Sequence, residues 1–296
     1  MPPLTTTTYS PPDRYYRFGS VTLCLSAPPF TESARWEQFS CPPGPADLTV
    51  RIRHEADPRV PSGQPRHTPT AEWYRTENGD AAVVKDLQGQ LLWIAEYRSD
   101  GVVDAAVNTE SGMPLTSFVV SEIIDLPRLL LRRGSVFLHA SYILYGGQAI
   151  LFTAPKQTGK STQAALWQRF AGAETVNGDR AMLEWREGVC WACATPYAGT
   201  SKICRRVDAP IRAVVILSQG KENEARRATA GEAFRALLEG GTVDRADPEQ
   251  MALFLNAAEA IAASLPFYAL RCLPDEGAVD CLKKALALDT TQENRI

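Results

Sequence analysis

Residues 148–171 read QAILFTAPKQTGKSTQAALWQRFA, and no other stretch leaves the chain so little choice of fold. An apolar run, Gln148–Thr153, has the length and composition of a buried strand. An amphipathic helix is expected from about Lys160 to Phe170, ended by Gly172. Between them lies Ala154-Pro155-Lys156-Gln157-Thr158-Gly159-Lys160-Ser161-Thr162, which has the form G-x-x-x-x-G-K-[ST] with Ala154 in place of the first glycine. A strand, a loop of this kind and a helix together make a phosphate cradle. Glycine lets the backbone turn so that successive N–H groups aim at one anion. The helix start adds unsatisfied N–H donors and the positive end of its dipole. Lys160 is then a point charge for the β- and γ-phosphates, and the Ser161 hydroxyl is a ligand for magnesium. Alanine enters positive φ less easily than glycine, so Ala154 is a small cost. A chance Gly-Lys-Ser on a surface loop would lack the flanking strand and helix. The expectation is a site for ATP and Mg²⁺ lined by Pro155, Lys156, Gln157, Thr158, Gly159, Lys160, Ser161 and Thr162.

A magnesium site on such a loop takes a second anchor, usually an acid at the end of a neighbouring strand. Asp179, in TVNGDR (175–180), follows Lys160 by 19 residues, enough for one helix and a returning chain. A turn or surface ion pair would also explain an Asp followed by Arg, but its place after the loop helix favours the metal role. His139, in FLHAS, lies one strand upstream. A strand histidine is equally a satisfied structural residue or a group aimed at transferred phosphate. Two further loops follow strands. TPYAGTSK (195–202) carries Gly, hydroxyls and a Lys, and QGKENEARR (219–227) carries Gln219, Asn223 and Arg226. An ordinary turn explains the first and a solvated loop the second, though both stand where ligand contacts gather.

The rest of the composition excludes more than it suggests. With 31 basic and 34 acidic residues the net charge is −3, so no basic balance marks a nucleic-acid partner. No apolar run reaches the roughly 18–20 residues a bilayer span needs. The first residues, MPPLTTTTYSPPD, lack the cationic and apolar parts of a secretory signal, so a cytoplasmic location is expected. Seven cysteines at irregular spacing then read as reduced thiols. Cys190 and Cys193 form the C-x-x-C of VCWACAT, but three residues apart in a strand they face opposite sides, which spoils them for a metal or redox pair.

Thirteen of the 21 prolines fall before residue 70, which predicts strands joined by irregular loops and a loose first dozen residues. Strand-like runs at 20–26, 47–53, 81–87, 90–97 and 101–108, separated by turn signals, read as a small antiparallel β domain over residues 1–115. From 116 the pattern alternates. A helical stretch is broken at Pro127, strands follow at 135–141 and 148–153, then the loop helix and strands at 181–186, 189–194 and 211–217. Helices are expected at 230–239, 248–264 and 276–288, with a strand at 267–272. The expected class is α/β, a P-loop nucleotide-binding domain over 116–296 preceded by a small β-rich domain.

The stretch LHASYILYGGQAILFTAPKQTGKSTQAALW, followed by NGDRAMLE and ATPYAGTSK, resembles the HPr kinase/phosphorylase-like family. It is similar above all to the shorter homologues encoded beside ribosomal-peptide gene clusters, those for lasso peptides included. The resemblance spans about residues 120–288 and implies the phosphoenolpyruvate-carboxykinase type of P-loop fold. Authentic members phosphorylate a serine of a carrier protein and assemble as hexamers, so a homo-oligomer is one arrangement open to this chain, though no oligomer contact can be read from the sequence. It would make Lys160 and Ser161 the phosphate and magnesium ligands, Asp179 the acid of the metal and catalytic centre, and His139 an active-site residue. Tyr197, Ser201 and Lys202 of the TPYAGTSK loop are the substrate-binding candidates, on the loop's own composition and its place after a strand.

Two departures stand out. The family carries Asp-Asp after the loop helix, and this chain has Gly178-Asp179. The family's C-terminal phosphorylase signature is absent, so reversal by inorganic phosphate does not follow. The expected function is an ATP- and Mg-dependent kinase for a hydroxyl, on a ribosomally made peptide or a protein. The alternatives are a small-molecule kinase, a simple nucleotide hydrolase, or a nucleotide-binding regulator that has lost transfer.

Overall fold

The computed structural model describes residues 13–293 and is a mixed α/β protein with two large sheets. The expectation of a loose first dozen residues lies outside the described residues. The chain divides into two compact units at Asp125/Leu126, rather than near residue 115. The helix over 117–124 thus belongs with the first unit.

That unit holds strands β1 (Arg14–Phe18), β2 (Val21–Ser26), β3 (Leu48–Glu55), β4 (Arg66–His67), β5 (Glu72–Arg75), β6 (Gly79–Lys85), β7 (Leu91–Arg98) and β8 (Val102–Asn108). Helices α1 (Ala34–Glu37) and α2 (Ser117–Ile124) join them. The sheet runs β1-β2-β3-β8-β7-β6-β5-β4. The five expected strands are present, but the sheet is not purely antiparallel. β2 and β3 pair in parallel, and so do β3 and β8. Parallel neighbours need long crossovers. The stretch between β2 and β3 supplies one, and the β4–β7 strands between β3 and β8 supply the other. The core is aromatic at one end, where Trp36 meets Tyr16 and Phe18 edge-on at 5.2 and 5.4 Å. The Trp36 indole N–H donates to Ser121 Oγ at 2.9 Å, and the Tyr97 hydroxyl donates to the Ile123 carbonyl at 2.8 Å, which fixes α2.

The second unit runs α3 (Leu126–Leu131), β9 (Val136–Tyr145), β10 (Gln148–Thr153), α4 (Lys160–Ala171), β11 (Glu174–Asn177), β12 (Arg180–Arg186), β13 (Val189–Cys193) and β14 (Ala209–Gln219). It continues through β15 (Glu224–Arg227), α5 (Ala230–Gly240), α6 (Pro248–Ser264), β16 (Phe267–Cys272) and α7 (Glu276–Glu293). The helix break falls at Asp125, with φ 45°, and Pro127 sits in the first turn of α3, where its missing N–H is harmless. Gly146 and Gly147, with φ 59° and 78°, make the tight hairpin between β9 and β10.

β10 lies between β9, antiparallel, and β14, parallel, and β14 also pairs in parallel with β16. The β12–β13 hairpin pairs with the first half of β9 and the start of β14, so the pairings β10–β9–β12–β13–β14–β10 close on themselves. Helices α4 and α7 cover one face, burying Trp167, Phe152, Val215, Leu270 and Leu282 in one cluster. At roughly 1.5–3 kcal/mol per buried large side chain, this cluster anchors α4 and so the loop before it. Cys190 and Cys193 are both buried in β13. Among the described residues there is no transmembrane-length apolar helix.

Candidate functional site

Sheet register alone draws the site together. Thr153, the last residue of β10, pairs with Ala140, so His139 stands one residue beyond, beside Ala154. Across β9's other edge Arg180 pairs with His139, which brings Asp179 to the same place. The Ala140 N–H donates to the Asp179 carbonyl at 3.0 Å, and the Thr153 hydroxyl donates to the His139 carbonyl at 3.1 Å. Leu138 and Ala140 are fully buried on one face of β9 while His139 on the other is partly open, as strand alternation requires.

The loop bends at positions other than the one expected, since Ala154 does not take a positive φ. Gly159 has φ 112° and Gln157 φ 65°, so two positions take left-handed backbone. The N-terminus of α4 carries no side-chain cap, so the first N–H donors of the helix have no capping side chain to satisfy them. Lys160 is buried, and its ammonium donates to the carbonyls of Ala154 at 2.8 Å and Pro155 at 3.2 Å. Burial holds that ammonium below its ordinary pKa, partly offset by the Asp179 carboxylate across the site, with Lys156 adding to the lowering.

Asp179 is the hub. Its Oδ1 lies 3.3 Å from His139 Nδ1 and its Oδ2 lies 3.5 Å from Arg180 Nε. Burial, then repulsion from Lys160, pulls the His139 imidazole below its ordinary pKa despite the attraction of Asp179. The ring is therefore neutral near pH 7. His139, Asp179 and Arg180 border a cavity of about 780 Å³ whose other walls are residues 153–156, Ile216, Ala236, Glu239 and the stretch Gly240–Val243 with Arg245, so that of the expected nucleotide-binding residues Pro155 and Lys156 line it while Gln157 to Thr162 do not. Its size lies within the range of small-ligand pockets.

The other sequence candidates fall elsewhere. Tyr197 packs edge-on against Phe137 at 6.1 Å and under the Arg180 guanidinium at 5.4 Å, outside the cavity lining. The Ser201 hydroxyl donates to the Ala198 carbonyl and accepts from the Ile203 N–H within its own turn. Lys202 is exposed in a left-handed conformation. Asn223 and Arg226 border a separate cavity of about 690 Å³, with Asn223 bonded to Asp275 and Arg226 to Glu232. Among the described residues no three His, Cys, Asp or Glu side chains gather at metal-holding distance. Magnesium needs no such cluster, because it is commonly held by one or two carboxylates together with phosphate oxygens and water. Asp179 and the exposed Ser161 hydroxyl suit that donor set.

Sequence reasoning missed Asn177, which is fully buried. Its side chain holds the turn that carries Asp179. The Asn-Gly pair signals a turn, but the partners of its amide lie 18 and 20 residues away, beyond any local pattern. It also missed the cavity wall from Gly240 to Arg245, which follows α5 and carries no motif.

No family model matches the sequence, and no curated protein matches it. Among solved structures, the Hpr(Ser) kinase/phosphatase from Coxiella burnetii is similar at 12% identity and a TM-score of 0.31, over 54% of this chain and 92% of that one. A likeness this loose leaves the site to be read from its own geometry.

Proposed function

We propose that the chain binds ATP with magnesium on Pro155–Thr162 and transfers the γ-phosphate to a hydroxyl, with a serine of a ribosomally made peptide or of a protein as acceptor. The observation that supports this reading is the convergence of His139 and Asp179 on the mouth of a loop whose buried Lys160 faces them. A bare phosphate site would have no use for that pair. Lys160, now bonded to the Ala154 and Pro155 carbonyls, would supply its charge to the β- and γ-phosphates, and the uncapped N–H groups of α4 would add donors for them. Ser161 and Asp179 are the residues that would hold magnesium, which when bound neutralises charge on the phosphates. His139, neutral and with Nδ1 toward Asp179, presents Nε2 as an acceptor. The His139–Asp179 pair takes the proton of the acceptor hydroxyl as its oxygen bonds to the γ-phosphorus and the bond to ADP breaks.

The test is incubation of the chain with labelled ATP and Mg²⁺, alone and with serine-containing peptides, beside Lys160→Ala and Asp179→Asn. Label on a peptide that disappears with either substitution supports the kinase. Tight ATP binding without product in any mixture favours a regulator, and steady phosphate release without an acceptor favours a hydrolase. Lys160→Ala binding ATP as tightly as the parent would sink the phosphate role of the loop.

A further inference from the structure

We infer that Asn177 and Gly199 are positioning residues for Asp179, and that the 195–202 loop, rather than the P-loop, sets where this carboxylate stands. The inference rests on the proposed reaction for its function and on three contacts for its geometry.

The first contact is a tether. Asn177 Oδ1 accepts from the Asp179 N–H at 2.9 Å and the Arg180 N–H at 3.0 Å, and its Nδ2 donates to the Thr195 carbonyl at 3.1 Å and the Tyr197 carbonyl at 2.8 Å. Both donors and both lone pairs of one amide are thus committed, so the two chain segments move as one. The second contact is a stop. Gly199 has φ 50°, and a Cβ there would fall 2.6 Å from Asp179 Cγ and from its Oδ1. The loop backbone rests against the carboxylate itself. The third is a lock on the turn before it: a Cβ on Gly178 would fall 2.2 Å from Ser201 Oγ. The far end of the loop is fastened too, by the Asn177–Cys204 bridge and the Arg205 N–H on the Val176 carbonyl at 2.9 Å.

An aspartate bordering a cavity of about 780 Å³ would otherwise keep its side-chain freedom. A group that has to serve a metal or a proton works only when held within about 0.5 Å of its place. Here His139 and Arg180 reach Asp179 from the strand side, and the loop backs it from the other chain segment. The residue next to the acid is Gly for a physical reason: the loop that holds Asp179 occupies the space a side chain at 178 would need.

The decisive variant is Gly199→Ala, because Gly199 is exposed and its methyl meets only Asp179 among its nearest atoms, the left-handed φ of 50° adding a backbone strain that a matched control must share. It is expected to lower kcat about 100-fold while the KM for ATP stays within about 2-fold, the mark of a misplaced group rather than a lost binding contact. Asn177→Asp, which sets a carboxylate oxygen against the Thr195 and Tyr197 carbonyls, is expected to act in the same direction. Gly188→Ala, also left-handed at φ 81° but in open space, serves as the silent control. A second readout needs no activity. The chain has three histidines, so the His139 ring signal in histidine-labelled, nucleotide-free protein is assigned by its loss in His139→Gln. That signal shifts in Gly199→Ala if the carboxylate beside it moves. An unshifted signal, or an unchanged kcat in an active enzyme, overturns the inference. Absence of transfer by the parent protein overturns the proposed reaction instead, and the ring signal still decides the geometry. Should Asn177→Asp fail to fold, Gly199→Ala and Gly199→Ser carry the test alone.

Discussion

Gly178 offers the sharpest perturbation, because the structure says what a side chain there would meet. A Cβ at 178 would lie 2.2 Å from Ser201 Oγ and 2.6 Å from Ser201 Cβ. Rotating the hydroxyl relieves the first clash but not the second, which is about 1 Å short of an ordinary carbon–carbon contact. The Ser201 side chain cannot leave freely either, since its hydroxyl is bonded to Ala198 and Ile203 in its turn. Gly178→Ala should therefore destabilise the second unit by about 2 kcal/mol, the usual size of an overpacking penalty. For a unit of this size that is a fall of roughly 6 °C in the melting temperature. Gly178→Asp should lose at least as much. Ser201→Gly alone should cost about 1 kcal/mol through its lost hydrogen bonds.

The double variant carries the reasoning. With the Ser201 side chain gone, a methyl at 178 has room, so Gly178→Ala with Ser201→Gly should recover about 1–2 kcal/mol relative to the sum of the two singles. Chemical denaturation of the four proteins measures the cycle. Additive penalties would show that the clash is not what Gly178 avoids, and a single variant as stable as the parent would show that the loop yields at no cost. The same cycle with Asp at 178 asks whether a second carboxylate can be restored beside Asp179 once the space is cleared.

Other outcomes follow from the same coordinates. The Arg128–Asp247 pair is buried at 2.8 Å and joins α3 to the start of α6, so Arg128→Ala should cost about 3–5 kcal/mol of stability by leaving an uncompensated charge, and a loss below about 1 kcal/mol in denaturant titration would refute it. Burial pushes the Cys190 thiol up to about 12 and also raises Cys193, so neither should react with a disulfide reagent until the chain unfolds; rapid labelling of either in the native protein would contradict the fold around β13. At the start of α5, Arg226 and then the Thr229 N–H hold the Glu232 carboxylate down at about 2, from an ordinary 4.5. Its contribution is complete above pH 4.5 and is lost as pH falls through about 2, so Glu232→Gln should flatten the acid-unfolding profile in that window and leave neutral-pH spectra unchanged. Thr229→Ala removes the other half of the capping box and should cost about 1 kcal/mol.

What could be read in the sequence was what repeats locally. The strand Gln148–Thr153, the loop and the helix closed by Gly172 follow from residue periodicity and turn chemistry, and the structure has all three. β1, β5, β11 and β15 escaped notice because each is four or five residues long, too short to show alternation against its surroundings. The parallel pairings of β2, β3 and β8 escaped for another reason: strand direction depends on the path of the connections, and a Pro-rich loop announces no path. The close approach of His139 to Asp179 was beyond local pattern as well. Their order suggested it, but only the register of β9 against β10 and β12 sets them 3.3 Å apart.

The missing acid beside Asp179 is where the two kinds of reading meet. From sequence, Gly178 is a loss: one carboxylate fewer than the resembling family carries, and a reason to doubt transfer. In the structure, a Cβ at 178 would strike Ser201 of the 195–202 loop, and a Cβ at 199 would strike Asp179. A glycine left behind by decay would not be expected to face a neighbour 2.2 Å from its absent Cβ. A loop occupies that space and fastens Asp179 through Asn177, beside His139 and the buried Lys160. If the proposed transfer takes place, it takes place with this one well-held carboxylate, and the Gly178 cycle and the Gly199→Ala kinetics test the two halves of that statement separately.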